Sequence, residues 1–141
     1  MVAAPMLLLI EDEMIIRDVL EIDLKEAGYE VVATGSGKET LAKLDGNANH
    51  FQAVITDIRM GDGPDGWNIG RRARELVSDM PIVYMSGDRS KEWSSKGVPH
   101  SVMLAKPFAA AQLITAVSTL LNLTKSHSKP SSFMGLWRHG A

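Results

Sequence analysis

Glu11, Asp12 and Asp57 supply carboxylates, Ser86 a hydroxyl and Lys106 an ammonium, and each stands where a short apolar run stops. Met6 to Ile10 runs into Glu11-Asp12, Ala53 to Thr56 into Asp57, Pro81 to Met85 into Ser86-Gly87, and Val102 to Ala105 into Lys106-Pro107. Three carboxylates brought together would repel one another without a cation. Mg²⁺ suits them, because it takes a few protein carboxylates and completes an octahedral shell with waters and phosphate oxygens. Glu11, Asp12 and Asp57 are the expected ligands, and the backbone carbonyl of Arg59 is placed to add another. Asp57 can also act as a nucleophile, since carboxylates form covalent aspartyl-phosphate intermediates. A transferring phosphoryl group spreads negative charge through a loose transition state, so positioning and neutralisation do most of the catalysis. Lys106 is the natural counter-charge for one phosphoryl oxygen and Ser86 the hydroxyl donor to another.

Elements of one kind must hold these groups. Short apolar runs bounded by polar residues read as buried strands of a parallel sheet, and ligands in such sheets bind beyond the strands' carboxyl ends. Between the runs the periodicity changes to helical. A helix is expected over about 14–27, with Ile16, Val19, Leu20, Leu24 and Ala27 on one apolar face and Gly28 ending it. Tyr29 to Ala33 reads as a strand. Ser36-Gly37-Lys38-Glu39 is a capping-box pattern opening a helix with Leu41 and Leu44 inward, and Gly46 to Asn49 reads as a turn. A third strand spans about 51–56, and a third helix begins near Trp67 with Ile69, Ala73, Leu76 and Val77 on one face. Residues 88–99 are polar with a turn or two of weak helix, followed by a strand at 101–105 and a helix at 108–123 with Leu113, Val117, Leu120 and Leu121 inward. The alternation βαβαβαβαβα predicts a doubly wound parallel sheet with helices on both faces.

Composition narrows the function. With 141 residues, 45% of them apolar, the chain makes one globular domain with a real core. It has no Cys, which excludes disulfides, zinc–thiolate sites and thiol nucleophiles and suits the cytoplasm. A net charge of −2 argues against a nucleic-acid partner. No run is long enough to span a membrane, and Met1-Val2-Ala3-Ala4-Pro5 lacks the basic start of a signal peptide. Without such a signal, Asn122-Leu123-Thr124 is a chance glycosylation match. His50, His100, His127 and His139 have no ligand spacing. Arg71, Arg72 and Arg74 read as a solvated basic face.

Leu8-Leu9-Ile10-Glu11-Asp12-Glu13, Thr56-Asp57-Ile58-Arg59-Met60, Met85-Ser86-Gly87 and Ala105-Lys106-Pro107 together resemble, in order and spacing, the receiver domains of two-component response regulators. The resemblance covers residues 5–123. It implies a flavodoxin-like sheet of five parallel strands in the order 2-1-3-4-5. It also implies that Asp57 is the phosphoacceptor, that Glu11, Asp12 and Asp57 hold Mg²⁺, and that Ser86 and Lys106 read the phosphoryl group. The donor would be a phosphohistidine on a sensor histidine kinase or a phosphotransfer protein. Two departures stand out. The family usually carries Tyr or Phe three residues before the Lys, as a switch coupled to the hydroxyl residue, and this chain has Met103 there. The loop Gly61-Asp62-Gly63-Pro64-Asp65-Gly66 is extended and acidic for the family. It matches the dinucleotide pattern G-x-G-x-x-G, but it lies in the third βα unit, away from its strand, and its acids and Pro64 oppose a pyrophosphate. Its glycines permit a tight loop.

Residues 1–123 are therefore read as the receiver domain and 124–141 as a basic, flexible tail. The tail has Lys125, Lys129 and Arg138 and no acid, leaving −5 on the rest of the chain. Phe133, Met134, Leu136 and Trp137 also allow it to be a short docking peptide, for a partner or for self-association. No output domain fits in such a tail, and a start at Met1 favours a complete chain. The expected role is a stand-alone switch, acting through an unknown downstream protein or as a phosphate shuttle or sink. A homodimer through the region 86–123 is one possible output. Two alternatives differ in class. A phosphate-independent docking module would use the fold only for binding. An aspartyl-phosphate phosphatase would need a second Asp two residues after the nucleophile, where Arg59 stands.

Overall fold

Hydrogen-bond register sets the frame of the molecule, and a computed structural model describes it for residues 3–128. Strands β1 (Met6–Ile10), β2 (Glu30–Thr34), β3 (Ala53–Asp57), β4 (Ile82–Ser86) and β5 (Val102–Ala105) form one parallel sheet in the order β2-β1-β3-β4-β5. Helices α1 (Met14–Glu26), α2 (Gly37–Asn47), α3 (Gly66–Leu76) and α4 (Trp93–Lys96) lie in the four crossovers, and α5 (Ala110–Ser128) follows β5. The expected fold class and strand order are both found.

The apolar runs are continuous because both faces of the sheet are covered. Leu8, Ile10, Val54, Ile82 and Tyr84 face α2 and α3, where they meet Leu44, Trp67, Ile69 and Ala73. Leu7, Leu9, Ile55, Val83 and Met85 face the other way, onto Leu20 and Leu24 of α1 and Leu113 and Val117 of α5. At roughly 1.5–3 kcal/mol for each fully buried aliphatic side chain, these two layers hold the strand ends in place.

Several local expectations are corrected. On α1, Ile16, Leu20 and Leu24 do face the sheet, but Val19 is 51% exposed and Ala27 is exposed just past the helix end. At 100° per residue Val19 turns away from the 16-20-24 line and joins Ile15 and Ile22 in an exposed apolar stripe. Leu76, at the end of α3, is exposed in the same way. Gly46 to Asn49 does not break α2, which runs on to Asn47 and tightens into a 3₁₀ turn at Ala48–His50. The capping box at α2 is displaced by one residue: Ser36 Oγ accepts from the Glu39 amide, but the Glu39 carboxylate accepts from Gly35 N. The arginines of α3 are not one solvated face. Arg72 pairs with Asp45 and Glu75, while Arg74 donates to the carbonyls of Met80, Pro99 and His100 and ties α3 to the approaches of β4 and β5. Helix α5 continues to Ser128, beyond the expected 123. The rest of the expected tail lies outside the described residues.

Candidate functional site

The switch in connection direction falls between β1 and β3, which lie side by side although β2 separates them in sequence. Ile10 pairs with Thr56, so the residues that follow, Glu11 and Asp57, emerge next to each other at the carboxyl edge. Asp57 pairs with Met85, and Ser86 with Ala105, so the hydroxyl and Lys106 arrive at the same edge from β4 and β5. Four strands thus deliver the four polar endings that the sequence marks. This is where open α/β sheets bind ligands.

One carboxylate oxygen each from Glu11, Asp12 and Asp57 lies within 4.8 Å of the others. Glu11 is fully buried, Asp57 nearly so, and Asp12 is exposed. Lys106 bridges the two buried acids, its Nζ lying 2.7 Å from Glu11 Oε1 and 3.2 Å from Asp57 Oδ2. The remaining oxygens are also engaged. Glu11 Oε2 accepts from the Glu13 amide at 3.1 Å and Asp57 Oδ1 from the Ile58 amide at 2.9 Å. Among the described residues no buried side-chain polar atom lacks a partner.

One ammonium cannot neutralise three carboxylates, and their titration reflects it. Burial and the charge of Glu11 push the Asp57 carboxyl up to about 6, against the opposing pull of Lys106. Burial also pushes Glu11 up, but its hydrogen bond to Lys106, the Glu13 amide and the Lys106 charge together hold it below its usual range. Asp12 is raised, by desolvation and then by Glu11. Burial opposes the charge on Lys106, yet its two acidic partners raise it overall. An all-oxygen donor set with excess negative charge fits a hard divalent cation of the Mg²⁺ type.

Ser86 is buried at the end of β4, its Oγ accepting from the amides of Asp88 at 3.2 Å and Arg89 at 2.7 Å. The hydroxyl thereby holds the start of the loop after β4. Met103 is half-buried against the core, and its partner across the β4–β5 ladder is Tyr84. The aromatic ring on this face therefore stands one strand away from the position where the family usually has it. Tyr84 is fully buried, accepts a hydrogen bond from Val98 N at 3.1 Å, and stacks at a tilt on Trp67.

Several supports of the site act through contacts that the sequence does not mark. Arg17 of α1 donates to the Glu11 carbonyl at 2.9 Å, fixing the turn that presents Glu11 and Asp12. The Arg59 side chain pairs with Asp88 at 2.7 Å, joining the loops after β3 and β4 across the rim. Gly66 comes so close to the Asp57 backbone that a Cβ there would collide with the Asp57 carbonyl, so α3 can begin beside Asp57 only with glycine. The loop at 61–66 is tight, as expected from its glycines: Gly61 and Gly63 have φ of 69° and 94°, a region other residues rarely enter. It ends in a full capping box between Asp65 and Asn68. The Arg59–Asp88 pair has no local signal, because its members stand in loops 29 residues apart.

Among the described residues, no helix is long and apolar enough to cross a membrane. A family model for the response regulator receiver domain matches residues 7–118. The chain is 34% identical over 116 residues to the C4-dicarboxylate transport transcriptional regulatory protein DctD of Rhizobium meliloti, a match covering 81% of this chain and 25% of DctD. The chain thus spans about a quarter of that relative. Among solved structures, it is similar to a response regulator receiver protein from Sinorhizobium medicae, with 49% identity, a TM-score of 0.82 and coverage of 84% and 95% of the two chains. It is also similar to the response regulator TrrA from Thermotoga maritima, solved in complex with Mg²⁺-BeF, with 27% identity, a TM-score of 0.73 and coverage of 82% and 98%. On the match over 7–118, on these relatives and on the converging strand ends, the chain belongs to the response regulator receiver family.

Proposed function

We propose that this chain is a phosphorylation-dependent signalling switch in which Asp57 accepts a phosphoryl group from a phosphohistidine, on a sensor histidine kinase or a phosphotransfer protein. One observation carries the reading: a nearly buried carboxylate, Asp57, stands within 4.8 Å of two further carboxylates and against the ammonium of Lys106. Glu11, Asp12 and Asp57, with the Arg59 carbonyl, would hold Mg²⁺. When bound, the ion supplies charge neutralisation for the incoming phosphoryl oxygens. The Mg²⁺-BeF complex of the Thermotoga relative supports this assignment.

The chain's own residues then act as follows. An Asp57 carboxylate oxygen attacks phosphorus, the P–N bond to the donor imidazole breaks, and the imidazole leaves with the bonding pair. Lys106 turns part of its attraction from the carboxylates toward the new phosphoryl charge. The Ser86 hydroxyl donates to a phosphoryl oxygen, which alters its hold on the amides of Asp88 and Arg89. The loop after β4 then shifts its conformational equilibrium, and the surface over 86–108 changes its affinity for another protein. On this reading the chain works in the cytoplasm as a stand-alone regulator or phosphate shuttle, and catalyses only its own phosphorylation and dephosphorylation.

The test is intact-protein mass after incubation with acetyl phosphate, with and without Mg²⁺, on wild type and Asp57→Asn. One Mg²⁺-dependent phosphoryl adduct is expected on wild type and none on the variant. A folded wild-type sample that binds Mg²⁺ yet gains no mass would overturn the reading in favour of a phosphate-independent docking module.

A further inference from the structure

At the opposite edge of the sheet, where the strands begin, lies a groove of about 820 Å³. Pro5 before β1, Tyr29 before β2, Phe51 before β3 and Pro81 before β4 line it, together with Val77 and Leu121 of α5. Exposed Asp79 also lines it. The volume is in the range that encloses several large side chains, and the assigned chemistry at Asp57 makes no use of it. Thr124 of α5 also lines the groove, about one helical turn before α5 ends at Ser128.

The sequence that follows has the composition of an occupant. By sequence, Pro130 cannot continue a helix and disfavours helical geometry in the residue before it. Ser131 and Ser132 favour a turn, and then come Phe133-Met134-Gly135-Leu136-Trp137. Four large apolar side chains in five residues, two of them aromatic, carry a large burial incentive. Reach is sufficient. Thr124 to Ser128 covers roughly 6 Å of helix, and five further residues extend at most about 17 Å, enough to double back to the groove. Charge agrees as well: the tail carries Lys125, Lys129 and Arg138 without an acid, against a body of net −5 and a groove lined by Asp79. A short linker gives the tail an effective concentration of millimolar order, so even a weak contact is populated.

We propose that the segment 133–137 of this chain docks in the groove at the amino-terminal edge of its own sheet, with Trp137 and Phe133 as the anchors. The tail is thereby held against α5 and kept away from the phosphoacceptor edge, and the groove is closed to other partners while the tail is in place.

The absence of Cys from the chain makes a direct test available. A nitroxide attached at Ala141→Cys in the full-length, ¹⁵N-labelled protein should broaden the amides of Tyr29, Gln52, Asp79 and Leu121 to less than half their intensity in the reduced control. The same effect should be lost when Trp137→Ser is added, a change outside the described residues. Absence of broadening at these amides overturns the proposal. So does broadening centred on the exposed α1 stripe of Ile15, Val19 and Ile22. Broadening that arises only between a ¹⁵N-labelled chain and a separate spin-carrying chain would make a second copy the occupant, and would overturn it too.

Discussion

The two edges of the same sheet are built from the same five strands and hold opposite kinds of surface. At the carboxyl edge the strands end in Glu11, Asp57, Ser86 and Lys106, and buried like charges share one cation. At the amino edge the strands are preceded by Pro5, Tyr29, Phe51 and Pro81, and the polar contacts bring no like charges together: Tyr29 Oη meets Ser118 Oγ at 2.5 Å, and Arg74 donates to backbone carbonyls. Parallel strands make this separation possible, because every strand contributes its end to one edge and its start to the other. The carboxyl edge stores electrostatic tension that a ligand can release, and the amino edge is held by packing and by hydrogen bonds free of like-charge repulsion. Changes at the two edges should therefore differ in how they respond to Mg²⁺ and pH.

The largest effect is expected from Lys106→Ala. It leaves fully buried Glu11 and nearly buried Asp57 with no neutralising partner. Breaking a buried charge pair by removing one partner costs about 3 kcal/mol or more. Urea unfolding after chelation should show that loss, and Mg²⁺ should recover part of it. An unchanged midpoint in the metal-free state would show that the acids are not held by Lys106.

Asp57→Asn should act in the opposite direction. The folded Asp57 carboxyl titrates at about 6, above the value near 3.9 of an unfolded Asp. Between roughly pH 4 and 6 the folded chain keeps a proton that the unfolded chain has released. Stability at this site therefore falls as pH rises through that window, then stays flat. A shift of two units corresponds to about 3 kcal/mol at neutral pH. The amide of the variant carries no charge but also weakens the contact with Lys106, so a net metal-free gain of about 1–2 kcal/mol at pH 7 is expected. Unfolding measured from pH 4 to 7 with chelator should lose its Asp57-dependent slope in the variant, and the stabilisation of wild type by Mg²⁺ should shrink.

The amino edge supplies the control. Tyr29→Phe removes the hydroxyl that meets Ser118 and should cost about 1 kcal/mol. That loss should be the same with and without Mg²⁺ and leave the yield of phosphoryl adduct unchanged. A Mg²⁺-dependent loss would mean that the two edges are coupled through the sheet.

The contrast between the edges also explains what the sequence shows and what it hides. A run such as Leu7 to Ile10 is legible because both faces are covered, so every residue must be apolar. The site residues are legible because each directly ends such a run. Val19 is misleading because an apolar residue at i+3 is a statement about angle, and this one lies on the wrong side of the 16-20-24 line. Met103 visibly breaks the family pattern, but Tyr84 emerges as its cross-strand neighbour only from the register of β4 and β5. Arg17 and Gly66 serve the site through a carbonyl contact and a close backbone approach. Such roles depend on tertiary placement, and no spacing rule announces them.

The smallest effect should come from the rim of the carboxyl edge itself. Arg59 and Asp88 lie 2.7 Å apart, but both side chains are 60% exposed. Water screens such a pair, and ordering two side chains offsets what attraction remains, so Asp88→Ala should change stability by about 0.5 kcal/mol or less. Its influence belongs to kinetics. The pair spans the loops after β3 and β4, beside the carboxylates that would receive a phosphodonor. Removing it frees the Arg59 guanidinium, a positive group next to the path of an anionic donor. Phosphorylation by acetyl phosphate should then speed up several-fold at low salt, with the gain fading as ionic strength rises. A rate unchanged at low salt would show that Arg59 lies off the donor's path and that the rim pair only joins two loops.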